Sequence, residues 1–380
     1  MKETILKDIS GEIAAIFAGA GIASALALGM SWPGGEPLGE HGGGQRRTTQ
    51  LFLGQPSLFS NHSVDAATVF DLASLTKILV TTLCIHKLVC QERLAFSDRL
   101  ADIFPDIFAA AVANPAWRAT SIGQLLNHAS GLPAHRPYYS QLLALPPLAR
   151  KDALLRLILG EAPVYAAGHD HIYSDLGFML LGFVIERLSG QSLNTFWRRM
   201  VAAGIGVEDL LFSPKNRERS QRLFAETGVC PWSGKILAGT VHDDNCRALG
   251  GVAGHAGLFG TLGGIMAVCD WLIACWHGTD REAEVLRQMC RPGPGSSRCL
   301  GFDSPSGPDS ASGGLFQVPS VGHLGFTGTS FWIDLRRQIS VTLLSNHTLL
   351  SWDREEMRLF RRKIYDCVMQ RFEERPGGRS

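Results

Sequence analysis

Apolar residues along this chain change their spacing between its ends and its middle, and the spacing predicts the elements. Ile5, Ile9, Ile13 and Ile16 fall on one face of a helix over about Glu3 to Ala18. The uncharged run Ile22 to Met30 that follows reads as a buried strand. Turn signals at Trp32-Pro33-Gly34-Gly35 and His41-Gly42-Gly43-Gly44 precede a second strand over Thr48 to Leu53. Leu75, Leu79, Thr82, His86 and Val89 then mark a well-buried helix. Further helical patches cover Ile122 to His128, Lys151 to Leu159, Leu176 to Leu188 and Gly264 to Trp276, and the glycine- and proline-rich stretch 291–314 reads as a long loop. Strand signals return in Thr329 to Leu335 and Ile339 to Leu344, and a last amphipathic helix spans about Trp352 to Phe372.

Strands at both chain ends with helices between them predict a mixed α/β (α+β) fold in which the ends meet in one sheet. The expected organisation is a discontinuous α/β domain from residues 1–70 and 315–380, a mostly helical domain over 71–314, an active site in the cleft between them, and a loose tail at 376–380.

Composition narrows the function. With 380 residues, 45% hydrophobic and 19% charged, the chain has material for a large core, which excludes disorder. A net charge of +1 argues against a nucleic-acid partner held by bulk charge. Nine cysteines, an odd number without C-x-x-C spacing, point to free thiols in a reducing compartment rather than disulfides or a zinc site. The uncharged stretch 13–30 could anchor in a membrane, but the residues before it mix Lys2 and Lys7 with Glu3, Asp8 and Glu12, unlike an export signal. The expectation is a cytoplasmic protein without a membrane partner.

Three segments carry candidate chemistry. In Ser74-Leu75-Thr76-Lys77 a hydroxyl and an ammonium lie one helical turn apart, so a desolvated lysine could activate the serine. Tyr173-Ser174-Asp175 opens an apolar helix, and a phenol near a lysine can exchange protons. Gly322-His323-Leu324-Gly325-Phe326 enters a strand through glycines, which lets a backbone N–H approach a ligand and, with that of Ser74, form an oxyanion hole.

The order S-x-x-K, Tyr-x-Asn-like, His-x-Gly resembles the serine β-lactamase and penicillin-binding-protein superfamily, in particular its class C β-lactamase-like branch. The flanks Phe70-Asp71-Leu72-Ala73, Leu125-Leu126-Asn127-His128-Ala129-Ser130-Gly131-Leu132-Pro133 and Ser345-Asn346 look like that branch too, and the likeness spans roughly residues 10 to 370. The resemblance implies a β-lactamase/transpeptidase-like fold: an antiparallel sheet flanked by terminal helices, plus a mostly helical domain. It implies Ser74 as acylated nucleophile, Lys77 as its partner and Tyr173 as proton shuttle. His323 and Gly325 would line the substrate side, and Phe326 would supply the second oxyanion N–H. No metal or organic cofactor is implied.

Two positions depart from the pattern. Asp175 stands for the usual Asn; ionised, it cannot donate to a substrate carbonyl, and it favours the ammonium form of Lys77. Leu324 stands for Thr or Ser and removes a hydroxyl. These departures, with the unlike export signal, argue against β-lactamase or wall-carboxypeptidase activity but leave the nucleophile in place. The expected function is therefore a serine hydrolase forming an acyl-enzyme with a small ester, amide or short peptide. The alternatives are a slow or inactive penicillin-binding-like sensor, and a cell-wall D,D-peptidase or β-lactamase. His242 and His255 sit in a glycine-dense, acid-flanked stretch and are expected on the substrate side rather than on a metal. Arg358, Arg361, Arg362 and Lys363 are expected on the solvent face of the last helix, and His128 and Ser130 to hold a loop.

Overall fold

A computed structural model describes residues 5–34, 45–59, 61–110, 113–212, 222–293, 298–307 and 309–375. The predicted tail 376–380 lies outside them.

Both chain ends build one five-stranded antiparallel sheet in the order β2-β1-β8-β7-β6. Its strands are β1 (Ala25–Pro33), β2 (Arg46–Gly54), β6 (Ser320–Leu324), β7 (Ser330–Asp334) and β8 (Ile339–Ser345). A small second sheet joins β3 (Phe70–Asp71), β4 (Leu210–Phe212) and β5 (Leu258–Gly260) in the order β3-β5-β4. Among the described residues the rest of the central chain is helix, loop and isolated bridges.

The period-2 rule explains how the large sheet is covered. Leu26, Leu28, Met30 and Trp32 of β1 pack with the N-terminal helices and the C-terminal helix Arg354–Glu374, through Ile5, Ile13, Ile364 and Val368. The alternate positions Ala25 and Ala27 belong to the other core, and the helix Leu262–His277 comes so close that a Cβ on Gly29 would lie 2.4 Å from Met266 Sδ. Small residues on that face are what allow a helix to approach the strand. A central strand covered on both sides reads as a continuous apolar run, whereas edge strand β2 mixes half-buried and exposed residues and buries none fully.

Several expectations change. The N-terminal helix is two pieces, Ile5–Asp8 and Ser10–Ala20, because Ile9 leaves helical geometry at φ −107 and ψ 13. The glycine-rich approach to Thr329 is itself a strand, β6, pairing His323 with Phe331. The described part of loop 291–314 braces that edge, since Asp303 and Gly322 exchange backbone hydrogen bonds at 2.9 and 3.0 Å. All nine cysteines are free, and six are buried. No helix among the described residues is long and apolar enough to cross a membrane.

The largest correction concerns Arg361. It is buried at 6% exposure, and its Nη2 donates to Gly325 O at 2.7 Å and Thr329 O at 2.8 Å, clamping the turn between β6 and β7. Helical periodicity places 361 one turn after Met357 and one before Ile364 and Tyr365, so it faces inward with them. Burial lowers its pKa to about 10. Arg361→Met keeps the packing volume but leaves two carbonyls without their charged donor, so thermal and denaturant unfolding should report a loss of about 2–3 kcal/mol.

Candidate active site

Strand β3 ends at Asp71, three residues before Ser74, and pairs Asp71 with Phe259 of β5, bringing the 250s loop beside the serine. The turn into Ser74 is strained: Ala73 has φ 46, the left-handed region that residues with a Cβ avoid. Asp71 holds it, accepting the backbone N–H of Ala73 at 2.9 Å and that of His242 at 2.7 Å. Burial raises the Asp71 carboxyl to about 6, against those two donors, which lower it. From the sheet, Thr327 Oγ1 donates to Asp71 O at 2.7 Å and Thr329 Oγ1 to Leu72 O at 3.2 Å. The space is tight, since a Cβ on Gly325 would lie 2.0 Å from Thr329 Oγ1 and 2.8 Å from Leu72 O.

The helix that follows begins as a π-helix, Lys77–Thr82. Lys77 is fully buried, and its Nζ donates to Asp175 Oδ1 at 2.7 Å, Ser74 Oγ at 3.0 Å and His255 O at 3.3 Å. Asp175 is the first residue of the helix Asp175–Ser189, whose N-cap is Ser174. Burial alone would lower the lysine, but Asp175, with Tyr173, reverses this and holds the ammonium above the usual lysine range. Conversely, burial would raise Asp175, yet Lys77 and the His135 hydrogen bond hold it well below the usual carboxylate range. His135 Nδ1 stands 3.5 Å from Asp175 Oδ2 and its pKa is raised by that contact.

Tyr173 lies against this pair, with its ring centroid 4.9 Å from Lys77 Nζ. Burial raises the phenol more than Lys77 lowers it, so Tyr173 is a neutral phenol at pH 7. Its ring is sandwiched between His128 at 4.5 Å and His323 at 5.8 Å. His128, itself at φ 62, accepts the Ser174 backbone N–H on Nδ1 at 3.0 Å and so fixes the start of the helix. It does hold a loop, and it also braces Tyr173.

His323 is buried, and burial lowers its pKa to about 4. Its Nδ1 faces Leu324 O at 2.9 Å; a carbonyl only accepts, so Nδ1 carries the proton and Nε2 the lone pair. The position is therefore uncharged at neutral pH. The backbone N–H groups of Ser74 and Phe326 donate to no acceptor among the described residues, which suits them to a developing oxyanion.

A cleft of about 590 Å³ gathers these groups. Ser74, Tyr173, Asp175, His323, Gly325 and Phe326 all line it, with Lys77 beneath Ser74, so every site residue expected from sequence converges here. His242 and His255 line it as well. The ring of His255 faces Asp243 Oδ1 at 2.9 Å, while its carbonyl takes Lys77. No group of three metal-ligating side chains occurs among the described residues. Sequence reasoning missed Asp71, Ala73, His135 and Arg361. Asp71 stands in the motif's own flank and could have been found as a carboxylate inside an apolar stretch, and Arg361 by its helical spacing from Met357, Ile364 and Tyr365; Ala73 and His135 carry no signal before the chain folds.

A family model described as Beta-lactamase matches residues 29–366. The chain belongs to the beta-lactamase family. It is a serine hydrolase of the β-lactamase and penicillin-binding-protein type. A relative from Escherichia coli K12, which bears the provisional name D-alanyl-D-alanine carboxypeptidase, is 28% identical over 73% of this chain and 69% of its own length. Among solved structures, a β-lactamase/D-alanine carboxypeptidase from Pseudomonas syringae superposes with a TM-score of 0.71 at 14% identity, covering 98% of this chain and 99% of the other. The D-alanine carboxypeptidase AmpC from Burkholderia cenocepacia gives 0.68 at 16% identity, covering 96% and 99%. Both likenesses are of fold.

The Lys77–Asp175 pair sets a pH-dependent stability difference between this beta-lactamase-family chain and its Asp175→Asn variant. Removing the carboxylate from a buried ammonium should cost about 3 kcal/mol at neutral pH. Because Asp175 is depressed in the fold, its contribution is complete above the unfolded value of about 3.9 and is lost as pH falls below it. Denaturant curves from pH 7 to pH 3 should show wild type and variant converging only below about pH 4.

Proposed function

We propose that Ser74 is acylated by a small ester, amide or short peptide and that water then releases the acid. The observation that carries this is Lys77 Nζ at 3.0 Å from Ser74 Oγ, inside a cleft that also presents Tyr173 and two free backbone N–H groups. Lys77 is an ammonium and not the base. It orients Ser74 Oγ and stabilises negative charge developing there. Tyr173, a neutral phenol, relays protons: it takes the Ser74 proton while giving its own to the leaving group. The Ser74 and Phe326 N–H groups hold the oxyanion. In hydrolysis the relay runs with water in place of the leaving group.

Two features support a substrate other than β-lactams and wall peptides. His323 is neutral and Leu324 has no hydroxyl, so these two positions offer neither a cation nor an O–H for a terminal carboxylate, and the nearby Arg298 guanidinium, 5.6 Å from the Tyr173 ring, is paired with Asp303. Asp175 adds a negative charge where a donor amide would bind a carbonyl. The same two features favour the second reading, a penicillin-binding-like sensor that acylates and releases slowly. The site would lie where the helical stretch 71–314 meets the sheet made by residues 1–70 and 315–380, in a cytoplasmic enzyme.

Intact-mass spectrometry with a fluorophosphonate probe, an activated ester and a penicillin tests this. Wild type should gain one probe mass and Ser74→Ala none, with esterase turnover falling about 10⁴- to 10⁶-fold. Tyr173→Phe should keep the fold and lose about 10²- to 10⁴-fold in acylation rate. Decay over minutes of the acyl adduct left by the ester or the penicillin identifies the hydrolase, and its persistence over hours identifies the sensor. A folded wild type that stays unlabelled overturns both.

A further inference from the structure

Three aromatic side chains form a corner in the wall of the cleft that none of the chemistry above uses. Phe326 is 38% exposed and Trp352 64% exposed, and both line the cleft with His242. Their rings are mutual neighbours. Phe326 and Trp352 meet edge to face at 5.5 Å and 77°, and His242 lies 5.8 Å from Phe326 and 5.4 Å from Trp352. The Arg354 guanidinium covers Phe326 at 5.6 Å. A chain rarely leaves a tryptophan and a phenylalanine open side by side in a concave wall unless something covers them.

The corner is held in place before anything binds. Trp352 follows a short turn in which His347 contacts Ile22 O at 3.2 Å through Nδ1 and Asp353 O at 3.1 Å through Nε2. Asn346 Oδ1 accepts from the Ser24 and Ala25 backbone N–H groups, tying the same turn to β1. The backbone of His242 is anchored on Asp71, the residue that also holds the strained turn before Ser74.

Its position relative to the reacting carbonyl follows from the chain. The Phe326 N–H is one of the two candidate oxyanion donors, so the ring stands one residue from the carbonyl. Tyr173, which must reach the leaving group, packs instead on His323 and His128. Tyr173 thus makes its ring contacts with other residues than the corner does, so the corner is a surface separate from the proton relay, and the acyl side is the side assigned to it in the proposal that follows. The nature of the occupant follows from what surrounds it. Two rings already at right angles offer a third one both a stacked and an edge-on contact. The same cleft is lined by Thr348, His347, Met357, Arg354 and Arg358, and its carboxylates Asp175, Asp243, Asp244 and Asp303 are already engaged by Lys77, His255, Arg247 and Arg298 in turn.

We propose that Phe326, Trp352 and His242 form a subsite for an aromatic ring on the acyl part of the substrate, and that the enzyme selects aryl-bearing acyl groups. This rests on the acyl-enzyme reading of Ser74. Trp352 is the residue to test, being the most exposed of the three. The measurement is kcat/KM for p-nitrophenyl phenylacetate and p-nitrophenyl acetate, which share a leaving group. Each is divided by its own alkaline hydrolysis rate and compared across wild type, Trp352→Ala and Trp352→Phe. The normalised phenylacetate-to-acetate ratio should fall about tenfold in Trp352→Ala, which corresponds to about 1.4 kcal/mol of lost ring contact. Trp352→Phe should recover most of it. A ratio unchanged in Trp352→Ala, while the acetate ester still acylates Ser74 by intact mass, overturns the aryl subsite alone. So does protection of the enzyme by methyl N-acetylglucosaminide at concentrations where phenylacetate does not protect. If neither ester acylates wild-type Ser74, the acyl-enzyme reading fails and the subsite with it.

Discussion

An ammonium with no exposed surface must be answered by a carboxylate, and here that requirement organises the site. Lys77 sits beneath Ser74 with its Nζ 2.7 Å from Asp175. A buried ammonium and the half-buried carboxylate facing it repay their desolvation only when their geometry is good and the remaining donors are used. The lysine spends its other donors on Ser74 Oγ and His255 O. One ion pair thus ties the helix that starts near Ser74 to the start of the helix Asp175–Ser189 and to the 250s loop. Loss of any partner would leave a charge in the interior.

The pair also decides how protons move. A lysine held as ammonium cannot begin as a base, so its work is electrostatic. Tyr173 has its own pKa raised by burial and begins as a neutral phenol. A concerted exchange through that phenol would change no net charge, which is cheaper in a partly buried site than creating a phenolate. His323, lowered to about 4, adds no positive charge. In the proposed reaction, developing negative charge would be met by Lys77 and by the Ser74 and Phe326 N–H groups.

Strain at Ala73 shows how the rest of the fold serves the nucleophile. A left-handed alanine persists because its neighbours overdetermine it. Asp71 takes its N–H, Thr327 and Thr329 hold the carbonyls on either side of Leu72's N–H, and Arg361 clamps the turn carrying those threonines. The chain from the C-terminal helix to the serine is continuous: helix, clamp, turn, threonine, strained elbow. The aromatic corner is built from the same parts, because His242 hangs on Asp71 and Phe326 begins the clamped turn.

Local periodicity was enough to read the terminal strands and the helical middle from the sequence, and the family resemblance carried by three short motifs picked out the residues that the fold brings to the cleft. Ser74 and Lys77 are one turn apart on any helix, and Tyr173, Asp175 and His323 sit in short motifs that describe their own surroundings. Such features depend on neighbours within a few residues, so they need no fold to be seen. What tertiary structure alone decided are the pairings across large separations. Asp175 lies 98 residues from Lys77 and captures it, which turned the lysine from base to fixed cation. Arg361 stands in a run of basic residues that reads as a solvated face, yet its carbonyl partners lie 36 and 32 residues upstream. The charge of Tyr173 depended on burial against Lys77, two opposing effects whose balance no local pattern encodes. Ionisation and hydrogen-bond partnership depend on what the folded chain brings near and what it hides from water, and both are set by long-range packing.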